Sequence, residues 1–310
     1  MQLFINTYGT YVHVKDDMFE IKTPDDKDKK SPKRVNHIAA QKVSSIVMSK
    51  GAALSTDAIA LALKHNIDIV VVHRDGHPMG RFWHSKLGST TSIRKRQLET
   101  ALGEQSLFWV KKWLCQKLEN QCDFLQDLKK HRNKIQDEIG EKINKILVLR
   151  EKIENLPPQK VSEVADTLRG FEGSAGRHYF DTLAICIPDK YKFSGRSFRP
   201  AADSFNALLN YAYGVLYSRT ERAIMLAGLD PYVGFMHRDD YNTKSLVFDF
   251  IEPYRIYAER YVFRAFSGKQ VRDAYFEEFS GGVSLNQEGK AALIPKYLDF
   301  LDSAVKNFRR

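Results

Sequence analysis

The sequence predicts an α+β protein: a small N-terminal, mostly antiparallel β domain with one helix, then a larger all-α C-terminal domain. Three observations predict it. The first ~85 residues hold short runs rich in β-branched and aromatic side chains. Beyond them apolar residues recur every three or four positions. Between the two lies "SKLGSTTS" (85–92), small and polar like a linker. The domains are expected at 1–86 and 93–310, joined through 87–92, and 310 residues suffice for two.

The β domain reads in order. "LFIN", "TYVHV" and "MFEIK" are strands, and Asp16-Asp17 makes the hairpin turn between the last two. "TPDDKDKKSPKR" (23–34) is a solvated charged loop, and "SSIVM" is the next strand. Ser55 caps a short helix, "TDAIALALKHN", which has Asp57 in its first turn and Lys64 and His65 in its last, matching the helix dipole. "IDIVVV" reads as a strand buried on both faces. Asp75-Gly76 turns the chain into "MGRFWH".

After the linker, a charged helical run extends to Pro157-Pro158, with Gly103 and Gly140 as breaks. The Arg94-Lys95-Arg96 cluster reads first as a solvated face and second as a phosphate contact. The remainder is also largely helical.

Hydrophobic residues make up 43% and charged residues 28%, ordinary for a folded soluble protein. The net charge of +10 favours an anionic partner, nucleic acid ahead of an anionic membrane surface. No stretch approaches the ~18 uninterrupted apolar residues of a membrane helix, and "MQLFINTYG" does not start a signal peptide. Three cysteines, Cys115, Cys122 and Cys186, without a CxxC pattern argue against a disulfide framework or a zinc knot. Cys115 and Cys122, seven apart, share a helical face as core residues. A cytoplasmic location follows.

Phosphate-binding loops, HExxH and GxSxG are absent from the sequence. Three places could carry chemistry. In "VSEVADTLRGFEGSAGRHYFDTLA", Val161, Ala165, Leu168, Ala175, Tyr179 and Leu183 make an apolar stripe, and Glu172 falls within it. A carboxylate unpaired there costs several kcal/mol or takes up a proton. Gly170, Gly173 and Gly176 each cost the helix about 1 kcal/mol against alanine, and they let a ligand or a backbone come close. The plainer reading pairs Glu172 with an arginine between helices.

The second place is "GFMHRDDYNTKSLVFDFIEPYR" (234–255). Asp249 and Glu252 lie three apart on one helical face, where two carboxylates repel unless a cation or a shared proton joins them. Pro253 either kinks a helix beside the acids or starts one. His237 alone reads as a structural histidine. In the third place, Gly195 to Gly228, Arg196, Arg199, Arg219 and Arg222 are basic, while Tyr211, Tyr213 and Tyr217 read as packing rather than base stacking. Together Glu172, His237 and Glu252, with Asp249 adjacent, form a set of carboxylates and one imidazole. Such a set suits Mg²⁺ or Mn²⁺, and the imidazole tilts it toward Mn²⁺.

At these residues the chain resembles the CRISPR-associated endonuclease and spacer integrase family, "Cas-one", over its whole length. The matching stretches, in order, are "ALSTDAIALALKHNIDIVVVHRDGHPMGRF", "EGSAGRHYF", "RPAADSFNALLNYAYGVL", "AGLDPYVGFMH" and "SLVFDFIEPYR". Two departures fall in the β domain: a longer charged loop at 23–34, and "RVNHIAA" in place of a proline-containing phrase. The resemblance implies that Glu172, His237 and Glu252 bind the divalent metal, with Asp249 in the same catalytic patch. It implies metal-dependent cutting of DNA, and joining of a spacer 3′-hydroxyl to a repeat phosphodiester. The expected partners are a prespacer duplex, the CRISPR repeat, a second copy of the chain bound through the β domain, and the small protein "Cas-two". Arg177, His178 and Arg238 adjoin the ligands in sequence and are expected to grip phosphate. Two other readings are a catalytically silent DNA-binding scaffold, which the intact Glu/His/Glu set argues against, and a repair nuclease for branched DNA.

Overall fold

The computed structural model describes residues 1–24, 34–73, 78–82, 91–237 and 243–308. The Asp75-Gly76 turn, Arg238, and most of the 23–34 loop and of the linker lie outside them. The chain divides into two compact units, Met1–Gly88 and Ser89–Arg310. A β-sheet region precedes a largely helical one, so the expected class holds. Among the described residues no helix is long and apolar enough to cross a membrane.

The first unit contains β1 (Gln2–Ile5), β2 (Tyr11–Lys15), β3 (Met18–Thr23), β4 (Arg34–Ala39), β5 (Ser45–Ser49), β6 (Ala53–Leu54), α1 (Thr56–Lys64), β7 (Asp68–Val72) and β8 (Pro78–Phe82). They form two four-stranded sheets, in the orders β1-β5-β7-β8 and β4-β3-β2-β6. Asp16 and Asp17 take φ values of 50° and 55°, the left-handed pair that a two-residue hairpin turn needs to match strand twist. Ser55 Oγ accepts from the Ala58 amide at 3.1 Å and caps α1 as expected.

Two features of this unit add to the sequence expectation. Beside the antiparallel pairs the sheets include parallel ones: β5 pairs in parallel with β1 and β7, and β2 with β6. A helix between β5 and β7 returns the chain to the same end of the sheet, and parallel pairing follows. β4 was also not expected. It pairs antiparallel with β3, but Asn36 and His37 interrupt its apolar alternation and most of it is exposed. The core joins both sheets and α1 through Val12, Phe19, Ile46, Ile69, Ala58 and Leu61.

β4 completes an ionic cluster across three strands. Glu20 on β3 lies between His13 on β2 and His37 on β4, with each histidine Nε2 2.7 Å from one carboxylate oxygen. Lys22 Nζ is 2.8 Å from Oε1. Lys22 first, then His37 and His13, hold the Glu20 carboxyl at about 2 against the opposing effect of burial.

The second unit contains α2 (Thr91–Leu102), α3 (Gln105–Lys129), α4 (Gln136–Glu154), α5 (Val161–Cys186), α6 (Ser204–Leu226), α7 (Ser245–Phe250), α8 (Arg255–Ser267), β9 (Phe276–Phe279), β10 (Gly282–Leu285) and α9 (Gln287–Phe308). The β9–β10 hairpin corrects the all-α expectation. Gly281 at φ 97° makes its turn, and a residue without Cβ adopts that angle freely. Gly103 separates α2 from α3 as expected, but Gly140 lies inside α4. The second break falls at 130–135, where the Arg132 guanidinium donates to the carbonyls of Leu128 and Cys186 at 3.0 and 3.2 Å. These bonds satisfy ends of α3 and α5 that a helix leaves open.

α3 packs on α4, α5 and α8, while α6 is buried along most of its length. Tyr211, Tyr213 and Tyr217 are buried there, in the packing role expected of them. Cys122 and Cys186 are buried and Cys115 is half-buried; all three are free thiols.

Candidate metal centre

The candidate residues lie on α3, α5, the loop before α7, α7 itself and the turn that follows it. Lys117 on α3 supplies its middle. Val110, Leu114, Leu118 and Leu125 bury one face of this helix, and Lys117 sits on that face, only 8% exposed. Its ammonium contacts Glu172 Oε1 from α5 and stands 2.6 Å from Glu252 Oε2. Asn120, one turn later, donates to the Pro253 carbonyl at 2.8 Å and fastens α3 to the turn that carries Glu252.

Pro253 neither kinks a long helix nor begins one. Glu252–Tyr254 is a single 3-10 turn between α7 and α8, and it directs the Glu252 side chain inward. Glu252 is 4% exposed. Its Oε1 accepts from Arg255 Nε at 3.0 Å, and the Arg255 Nη2 donates to the Tyr217 hydroxyl at 2.7 Å. Burial alone would raise the Glu252 carboxyl, but Arg255 and Lys117, with His237 beyond them, outweigh it and hold the group at about 2. Burial likewise works against the Lys117 charge, yet Glu172 and Glu252 hold its ammonium above the ordinary lysine range.

His237 lies on the loop before α7, whose described part is fixed at several points. The Gln97 side chain is buried and donates to the carbonyls of Asp230 and Val233 at 2.8 and 2.9 Å. Gly234 lies so close to α7 that a Cβ there would come 2.4 Å from Ser245 Cβ. Asp249 on α7 closes the loop. Its Oδ2 accepts from the amides of Phe235 and Met236 at 2.6 and 3.0 Å, and its Oδ1 from the amide of His237 at 3.1 Å. Oδ1 also stands 2.6 Å from His237 Nδ1. A carboxylate only accepts, so Nδ1 carries a proton, and in the neutral imidazole Nε2 is the nitrogen left for a ligand. Trp113 on α3 stacks on Phe235 and meets Phe250 edge-on, and packs the loop against α7.

The model for the CRISPR associated protein Cas1 family matches residues 3–299. The chain belongs to the Cas1 family. It is 30% identical to the CRISPR-associated endonuclease Cas1 1 of Archaeoglobus fulgidus, over 98% of this chain and 89% of that one. The fold is similar to a casposase bound to integration product, with a TM-score of 0.80 and 21% identity over 97% of this chain and 82% of the other. It is also similar to part of a Cas6-RT-Cas1–Cas2 complex, with a TM-score of 0.76 and 20% identity over 96% of this chain and 32% of that one. At these identities the two structures speak to the Cas1 fold alone.

Within this Cas1 chain, Glu172 and Glu252 meet at one cationic point although 80 residues separate them. The partner of Glu172 is a lysine rather than the arginine of the plainer sequence reading. Asp249 does not share a cation or a proton with Glu252; it turns to the loop instead. As placed, no three His, Cys, Asp or Glu side chains among the described residues close around a metal ion. The donor set nevertheless fits a hard divalent cation. Glu252 Oε2 is buried, with no donor in hydrogen-bonding geometry, and faces the same ammonium as Glu172 Oε1. Two carboxylate oxygens and an oriented imidazole match the ligand preferences of Mg²⁺ and Mn²⁺.

Arg177 is exposed on α5. His178 lies elsewhere: with Glu141, Lys145 and Ser174 it lines a shallow groove of about 570 Å³ between α4 and α5, and burial, reinforced by Lys142 and Lys145, lowers its imidazole. Gly170, Gly173 and Gly176 leave open space, since a Cβ at any of them would meet nothing within 4 Å. Lys117, Arg255 and Gln97 were missed in the sequence. For Lys117 the signal was there: a charged residue on the apolar stripe of its helix, as Glu172 is on its own.

Proposed function

We propose that this Cas1-family protein is a divalent-metal-dependent DNA endonuclease and integrase of CRISPR adaptation. It joins spacer 3′-hydroxyl ends to repeat phosphodiesters by transesterification. The observation that carries the reading is the meeting of Glu172 and Glu252 at the Lys117 ammonium; the His237 imidazole, oriented by Asp249, is the third expected ligand.

Glu172 and Glu252 would hold Mg²⁺ or Mn²⁺ with His237 Nε2. The bound cation supplies Lewis-acid polarisation of a phosphoryl oxygen and stabilises a leaving oxygen. Asp249 keeps the Nδ1 proton in place and so keeps Nε2 available. Arg255 neutralises the outer oxygen of Glu252 and fixes its rotamer. The glycine face of α5 gives a DNA backbone room beside Glu172, and Arg177 on the same helix offers it a positive charge. The net charge of +10 adds affinity for DNA that does not depend on sequence and falls as salt rises. In this reading the protein works in the cytoplasm, pairs with a second copy through the β unit, and assembles with Cas2. The similar Cas6-RT-Cas1–Cas2 complex pairs a Cas1 chain with Cas2 and so supports that last partner.

The test uses a short duplex with free 3′-hydroxyl ends, a repeat-bearing plasmid, Mn²⁺ and the Cas2 partner. Wild type joins the duplex to the plasmid; Glu172→Ala and His237→Ala do not. Equal behaviour of all three chains leaves only a DNA-binding scaffold. Strong cutting of branched DNA without any joining identifies a repair nuclease that uses the same residues.

A further inference from the structure

Glu252 is held in two different ways. Its Oε1 takes a directed hydrogen bond from Arg255 Nε at 3.0 Å, and Arg255 is itself anchored on Tyr217. Its Oε2 has no such donor, although Lys117 Nζ is only 2.6 Å away. That second contact lacks hydrogen-bond geometry, so another cation can take it over at the cost of the one hydrogen bond the ammonium donates to Glu172. The same ammonium touches Glu172, the partly open member of the pair at 31% exposure.

We propose that Lys117 is a resident counter-ion: its ammonium fills the cation position between Glu172 and Glu252 until a divalent metal displaces it. This rests on the metal reading above and adds to it the residue that sets metal affinity. Counted over Lys117, Arg255, Glu172 and Glu252, the group is neutral without metal. A divalent cation entering beside the ammonium would meet like charge at close range in a water-poor site. Lysine suits this role because it carries a compact charge on a stem with several rotatable bonds. The stem can swing while Asn120 keeps α3 fastened to the turn, and Glu172 marks the side open to water. The counter-ion lets the acids fold before metal arrives, and it holds metal affinity below what two carboxylates and an imidazole would otherwise give.

The experiment is a Mn²⁺ titration, by calorimetry and by electron paramagnetic resonance, of the full chain without DNA. Wild type is compared with Lys117→Met and Lys117→Gln; glutamine can still hydrogen-bond both acids if methionine impairs folding. Both variants are expected to bind Mn²⁺ at least about tenfold more tightly. Their metal-free Tm should fall below that of wild type, and Mn²⁺ should raise it by more than it raises the wild-type value. Equal or weaker Mn²⁺ binding in the variants overturns the counter-ion role and leaves the metal reading intact. Absence of binding in all three chains overturns both.

Discussion

Asp249 holds both the ring and the backbone of His237: its Oδ1 lies 2.6 Å from Nδ1 and 3.1 Å from the amide nitrogen. One carboxylate therefore sets the position of the imidazole, its tautomer and the path of the loop that carries it. Asp249→Ala leaves three amide donors and Nδ1 without their acceptor. The expected cost is about 2–4 kcal/mol of stability, read by urea denaturation. Mn²⁺ affinity should fall by about 10- to 100-fold, as when the outer partner of a metal-bound histidine is removed. A variant as stable as wild type, with unchanged Mn²⁺ affinity, rules out this positioning role.

Glu172 and Glu252 should separate in stability while agreeing in function. Glu252→Gln leaves the buried Lys117 and Arg255 with one carboxylate fewer, and loss of one partner from a buried charge group costs about 3–5 kcal/mol. Glu172→Gln also takes a partner from buried Lys117 but acts at the open rim, and should cost less, about 1–3 kcal/mol. Both should abolish Mn²⁺-dependent DNA cutting. Paired urea denaturation and cleavage assays check this, and robust cutting by either variant contradicts the shared role.

The Glu20 cluster gives the first unit a pH signature. A carboxyl held at about 2 in the fold, against 4.5 ordinarily, contributes stability that is complete above about 4.5 and is lost as pH falls toward 2. The stability difference between wild type and Glu20→Gln should thus shrink steadily over that window. Chemical denaturation at closely spaced pH values measures it. A difference that stays constant from pH 5 to pH 2 would mean that the cross-strand contacts to His13, Lys22 and His37 do not hold the charge.

Arg177 should act as a phosphate contact. Arg177→Ala is expected to weaken duplex binding to a similar degree for every sequence and to reduce the log–log salt slope by about 0.9, the contribution of one neutralised phosphate. Fluorescence anisotropy across a salt series reads both quantities. An unchanged slope removes Arg177 from the DNA face.

Much of this was legible because local chemistry and fold agree. The Asp16-Asp17 turn, the Ser55 cap and the doubly buried β7 follow from residue type and spacing alone. Glu172 stood out as an acid on an apolar stripe, and the structure brings it to Glu252. Long-range pairing was less visible. β4 escaped because an edge strand with one polar stretch has no clean alternation. Asp249 and Glu252 look like repelling neighbours in the sequence, yet the 3-10 turn at Pro253 sends one to the loop and the other to Lys117. Lys117 itself was hidden among "WVKKWLCQKLENQ", close to Lys111 and Lys112; only its place on the Leu114–Leu118 stripe distinguished it.

The central claim is that Glu172, His237 and Glu252 share one divalent cation. A crystal grown or soaked with Mn²⁺ tests it directly through anomalous scattering. The account predicts one peak within about 2.0–2.6 Å of an oxygen of each glutamate and of His237 Nε2, with the Lys117 ammonium moved away from the pair. A fully soaked crystal with no peak there, and the ammonium still between the two carboxylates, contradicts it.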